Sequence, residues 1–177
     1  MAETGPRNSG VAFDVKPHAY DPATNPELFD GVLSRRVIAF LIDVVIIALP
    51  MMFIALFILV FGFVTFGLGW ALFFLFYPIG VIWALLYYGL TLGGAHSATI
   101  GMRVMDIEMR TWYGAPAYFI LGAVHAVIFW ISVSVLTPLI LLVGFFNDRR
   151  RLLHDILLGA VVINNRYRAE AKRRTGP

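Results

Sequence analysis

The chain has no cysteine among its 177 residues, which removes disulfides, thiol nucleophiles and cysteine-ligated metals together. Charge is nearly as scarce. Asp, Glu, Lys and Arg supply 14% of the residues, where an ordinary soluble domain carries about 25%. The shortage is also uneven. Between Val37 and Met102 the one residue of these four types is Asp43, and between Tyr113 and Asn147 there is none. Missing too are a glycine-rich phosphate loop, a hydrolase elbow and a zincin helix, so enzymatic catalysis and a bound cofactor are not expected. What fills the chain instead is apolar: 59% hydrophobic and 15% aromatic residues, with a mean hydropathy of +0.79. A soluble fold could not hide that much apolar surface, and lipid is the expected solvent.

Basic residues outnumber acidic ones by 14 to 11, for a net charge of +3 and a pI near 9.4. They sit at the edges of apolar runs and in the tail from Arg166 through Arg168 and Lys172 to Arg174. That placement suits anionic lipid headgroups. No basic patch is interleaved with exposed aromatics, so nucleic acid is not an expected partner.

Residues 1–34 read as a polar, largely disordered arm containing Pro6, Pro17, Pro22 and Pro26, with no secretory signal, retained on the cytoplasmic side. Three main hydrophobic segments follow at 37–61, 70–92 and 117–146, within a domain spanning 35–163. Pro50 and Pro78 predict kinks in the first two. Gly89 and Gly93 are spaced as a small-residue motif, which at a helix end reads as a cap rather than a dimer seam. The polar interlude 93–116 contains Arg103 and Arg110, which place it inside, and its alternation through Ile107 and Met109 is compatible with a short strand. The third segment is awkward. A single crossing would put Arg149 to Arg151 outside, and two crossings leave each leg short, so a helix broken between Ser132 and Pro138 that returns to the inside is favoured. Residues 148–163 then read as an interfacial segment, and 164–177 as a basic cytoplasmic tail. The expected fold is an all-α membrane protein, a small transmembrane helical bundle with kinked helices and a polar cytoplasmic loop.

Asp43 lies seven positions after Arg36. At 1.5 Å per residue this is roughly 10 Å further along the same helix face. A carboxylate inside lipid costs about 2.5–3.5 kcal/mol on insertion scales, so it needs a cavity, a partner or a proton. Two readings stay open: a proton- or cation-binding carboxylate, or a polar clamp between helices. Asp155, with His154, is the best partner for Arg36 if the C-terminal segment returns to the inner leaflet. The His154–Asp155 pair could also act as a base on a lipid headgroup, but nothing supplies a nucleophile. His96, His125 and His154 share no ligand spacing, and no metal site is expected.

Three stretches carry a resemblance: PELFDGVLSRRVIAFLIDVVII, then GGAHSATIGMRV, then RRRLLHDILLGAVVI. In this order they resemble the RDD family of small bacterial integral membrane proteins, named for one arginine and two aspartates. The resemblance makes Arg36 the arginine and Asp43 and Asp155 the aspartates. It assigns Thr99 and Gly101 to the middle motif and His154 and Gly159 to the closing one. Two positions depart from the pattern, Met102 where lysine is common and Asp106 where glycine is frequent. The resemblance implies a multi-pass protein of the cytoplasmic membrane, with transport, including cation/proton exchange, as the proposed activity. On that reading Arg36, Asp43 and Asp155 form the charge site, supported by His154, Thr99, Gly101, Arg103 and Gly159. A proton or monovalent cation would be the cargo. Few short helices enclose little pathway alone, so a homo-oligomer or a membrane partner is expected.

Overall fold

The computed structural model describes residues 18–136 and 143–175. Helix α1 runs from Val32 to Val64, 33 residues, with Pro50 inside it. That is roughly 50 Å of helix, more than the ~30 Å hydrocarbon core of a bilayer requires. It starts ahead of the expected boundary and takes Arg35 and Arg36 into its opening turns. Its apolar residues go round the whole helix, so Leu41, Val45, Phe53, Phe57 and Phe63 remain exposed.

The reversal after α1 carries no charge and satisfies its polar groups locally. The Thr65 hydroxyl donates to the Phe61 carbonyl at 2.7 Å and accepts from the Gly69 N–H at 2.7 Å. Residues Leu68–Leu72 form a 3-10 turn, and α2 follows from Phe73 to Leu92. Both α1 and α2 are long and apolar enough to cross a membrane. The Gly93 N–H closes α2 on the Gly89 carbonyl at 2.9 Å, and both glycines lie against Phe119. The pair is thus a cap and a seat for the next helix.

After α2 come the short helix α3 (Ile100–Val104), strand β1 (Ile107–Thr111) and helix α4 (Phe119–Leu136). α4 packs mainly on α2. The chain then forms α5 (Leu153–Leu157), strand β2 (Ala160–Asn164) and α6 (Arg166–Thr175). β1 and β2 pair antiparallel, with Ile107 opposite Asn164 and Thr111 opposite Ala160.

Every residue of β2 is buried. Ala160 and Val162 point into the main core with Val32, Tyr88, Leu92 and Met109. Val161 and Ile163 point the other way, onto Phe29, Leu28 and Tyr20. This alternation follows from the two-residue period of a strand, and both faces are covered.

One expectation is corrected. The fold is mostly helical, not all-α: the segment read as interfacial ends in a strand whose partner lies far away in sequence, beyond the reach of local periodicity. Of the N-terminal arm, residues 18–31 cover the sheet, fastened by the Asn164 side chain, which donates to the carbonyls of Glu27 at 2.7 Å and Asp30 at 3.0 Å. Residues 1–17 lie outside the described residues. Of the expected break between Ser132 and Pro138, residues 132–136 are still helical in α4, 137–142 lie outside the described residues, and Gly144 lies against Leu33 and Leu152.

Candidate functional site

The 36-40-43 face of α1 meets two polar clusters separated by aromatic packing. At the first, the Arg36 guanidinium reaches Asp155 of α5 with both terminal nitrogens: Nη1 on Oδ2, and Nη2 on Oδ1 at 3.0 Å. Asp155 is fully buried and Arg36 is 11% exposed. The Leu152 N–H donates to Asp155 Oδ2 at 2.9 Å. His125, from α4, places Nε2 2.9 Å from Oδ1. His154 lies edge-on to both His125 and Phe129. Its Nε2 is 3.4 Å from Arg36 Nη2, while its buried Nδ1 has no hydrogen-bond partner among the described residues.

Burial opposes ionisation of Asp155, yet the charge of Arg36, with His154 and the bonds from His125 and Arg36, holds the carboxyl well below the usual carboxylate range. Burial lowers His154 to about 3, with His125 and Arg36 adding to the effect and Asp155 opposing it, so its imidazole is neutral at pH 7.

At the second cluster Asp43, 3% exposed, accepts three bonds from neutral donors. The Tyr87 hydroxyl is 2.5 Å from Oδ1, the Gly101 N–H 2.8 Å from Oδ1, and the Thr99 hydroxyl 2.6 Å from Oδ2. No cationic side chain is within ion-pair distance of Asp43 among the described residues. The motif containing Thr99 and Gly101 is thereby explained. Thr99 is the N-cap of α3, accepting from the Met102 N–H at 3.1 Å while donating to Asp43. Gly101 permits the close approach of α3 to α1, because a Cβ there would lie 2.1 Å from the Ala39 carbonyl oxygen.

The remaining candidates are peripheral. Arg103 is exposed and donates to the Ala98 carbonyl at 3.2 Å. Gly159, at φ +60°, turns the chain from α5 into β2. Asp106, which stands where the family pattern favours glycine, has φ +55° between α3 and β1. Met102 lines a cavity rather than offering a charge.

That cavity, about 290 Å³, connects the clusters. Arg36, Asp43, Thr99, His125 and His154 border it, and Phe40, Phe129 and Val133 supply apolar wall. Sequence reasoning missed His125 and Tyr87. His125 belongs to none of the three quoted motifs, and its one signal is being the sole histidine in a long apolar run. Tyr87 belongs to none of the three motifs either, and it is buried with its hydroxyl on Asp43. Although the histidines share no ligand spacing in the sequence, helix packing brings His125 and His154 to the same carboxylate, Asp155.

A family model described as the RDD family matches residues 31–159, well over half of the chain. No curated protein and no solved structure matches it. With the match extending from the turn before α1 to the glycine after α5, the chain belongs to the RDD family, and it is a membrane protein by that membership and by two helices long enough to cross.

Proposed function

We propose that this protein is a small membrane transporter, or a component of one, that handles protons and monovalent cations, with Asp43 as the loading carboxylate. One observation carries the reading. Of the two buried carboxylates, Asp155 is paired with Arg36, whereas Asp43 borders the cavity and has no cationic side chain within ion-pair distance among the described residues. Among the described residues Asp43 is held by neutral donors alone, which leaves its counter-charge to the cargo. Arg36 and Asp155 form the fixed pair beside it, with His125 and His154 bordering the route. By the positive-inside rule the basic end belongs in the cytoplasm of a bacterial inner membrane, with α6 toward anionic headgroups and several copies assembling the pathway.

The test is ion flux in sealed proteoliposomes under imposed proton, sodium and potassium gradients. Asp43→Asn keeps an oxygen for Tyr87 and Gly101 and presents an amide to Thr99, so the fold should survive. Flux is expected in the wild type and lost in a well-inserted variant; undiminished flux in that variant would remove Asp43 from the mechanism.

A second reading is a non-catalytic assembly protein in which Arg36, Asp43 and Asp155 are an internal lock. It is favoured by the 119-residue separation that the Arg36–Asp155 pair bridges. Under this reading the charges hold the helices in register and nothing passes.

A further inference from the structure

The cavity between α1 and α4 has a composition that distinguishes between kinds of cation. Phe40, Leu41, Met102, Phe129 and Val133 line it, and Tyr88 adds a third ring. A bare inorganic ion entering such a space would need several oxygens to replace its water, and hard cations such as calcium take six to eight. Asp43 and the Thr99 hydroxyl cannot supply that number. An organic cation carries its own apolar body and needs a partner only for its charged end. Its volume of about 290 Å³ is close to the lower end of small-molecule sites, ~300 Å³.

The carboxylate itself has room for one more donor. An ionised carboxylate offers about four acceptor positions, and Tyr87, Gly101 and Thr99 fill three of them. The vacant one is on Oδ2, where Thr99 is the sole donor among the described residues. Arg36 does not compete for it, because both of its terminal nitrogens are on Asp155. Aromatic rings beside a desolvated ammonium add attraction. The approach is lateral: Val37 and Leu41, both on the cavity wall, are 39% and 56% exposed on α1, a helix long and apolar enough to cross a membrane. A solute already dissolved in the leaflet reaches Asp43 by that route.

We infer that this cavity binds a small amphipathic organic cation, a protonated amine on an aromatic or aliphatic body, with its ammonium on Asp43 Oδ2 and its body among Phe40, Phe129 and Val133. The inference names the cargo class for the transport reading and rests on that reading for movement, though not for binding.

The probe is phenethylammonium, titrated calorimetrically into the full chain in detergent, with 2-phenylethanol as its uncharged counterpart. The ammonium should bind about tenfold or more tightly than the alcohol, as a charge-assisted hydrogen bond to a buried carboxylate requires. Asp43→Asn should abolish that preference and leave the alcohol's affinity unchanged. Leu41→Trp, which blocks the mouth and spares Asp43, should weaken both ligands and covers the case of an Asp43 variant that fails to fold. Equal binding of the two probes, or a preference that persists in Asp43→Asn, would overturn the inference and reduce the cavity to a place for lipid chains. Proteoliposome flux separates the two proposals. Sodium or proton flux without ammonium preference ends this inference and leaves the transport reading. Ammonium preference with no flux of any cation keeps the site and ends the transport reading.

Discussion

His154 is more deeply placed than any other histidine described: its side chain is inaccessible and its imidazole is neutral. The linkage has a definite sign. In the unfolded chain a histidine protonates near pH 6.5, and His154 in the fold does so only at about 3, so between these values the unfolded state binds more protons. The stability His154 contributes is intact above about pH 6.5 and is lost as pH falls toward 3. His18 adds to the same slope, lowered to about 4 by burial and by the nearby charges of Arg149 and Arg151, with the Tyr20 backbone opposing. Asp155 stays ionised throughout, because its partners hold it below the usual range. The apparent melting temperature in detergent should therefore drop between pH 7 and pH 4.5. His154→Gln should make that drop shallower, and His18 should supply the remainder. An unchanged slope in the variant would show that His154 does not carry the effect. His154 and Asp155 were legible as a pair because they are adjacent in a recognisable motif. Their neighbour His125 was not, since only packing of α4 against α5 brings it within 2.9 Å.

The five-residue helix α3 is too short to be stable alone, and its position depends on what fastens it to α1. Three contacts do so: the Thr99 hydroxyl and Gly101 N–H on Asp43, and the direct approach of Gly101 to the Ala39 carbonyl. Gly101→Ala puts a methyl where the Ala39 oxygen already is, and the helix must move. Overpacking of this kind costs about 1–3 kcal/mol. Displacing α3 also pulls the Gly101 N–H from Asp43, so the loss should be at the upper end and visible as a lower melting temperature. A variant as stable as the wild type would mean that α3 shifts freely. Element type was readable where one period dominates, as in the apolar helices α1 and α2. It was half-readable at β1, where alternation signalled a strand but not its partner. It was unreadable at β2, because Ala160–Asn164 is buried on both faces and such a run looks the same as any short apolar segment.

Across the molecule, Arg36 and Asp155 join the first helix to the C-terminal motif, and the arm at residues 18–31 closes over the sheet between them. Replacing one partner leaves the other buried without a counter-charge, a change that costs about 3–5 kcal/mol. If the pair is chiefly a lock, Arg36→Asp and Asp155→Arg should each lower the yield of monodisperse protein. The double exchange should recover part of the melting temperature, short of full recovery because an arginine at 155 cannot accept the Leu152 N–H. No recovery in the double variant would sink the lock. The sequence by itself determined the membrane, the family and the identity of the three charged residues, because hydropathy and motif are properties of contiguous chain. Which charge answers which was decided only by tertiary structure. Arg36 and Asp43 share a helix face, but a face fixes direction and not distance. The partners of Asp43 come from α2 and the α3 turn, and those of Arg36 from α5, each placed by packing that no local pattern encodes.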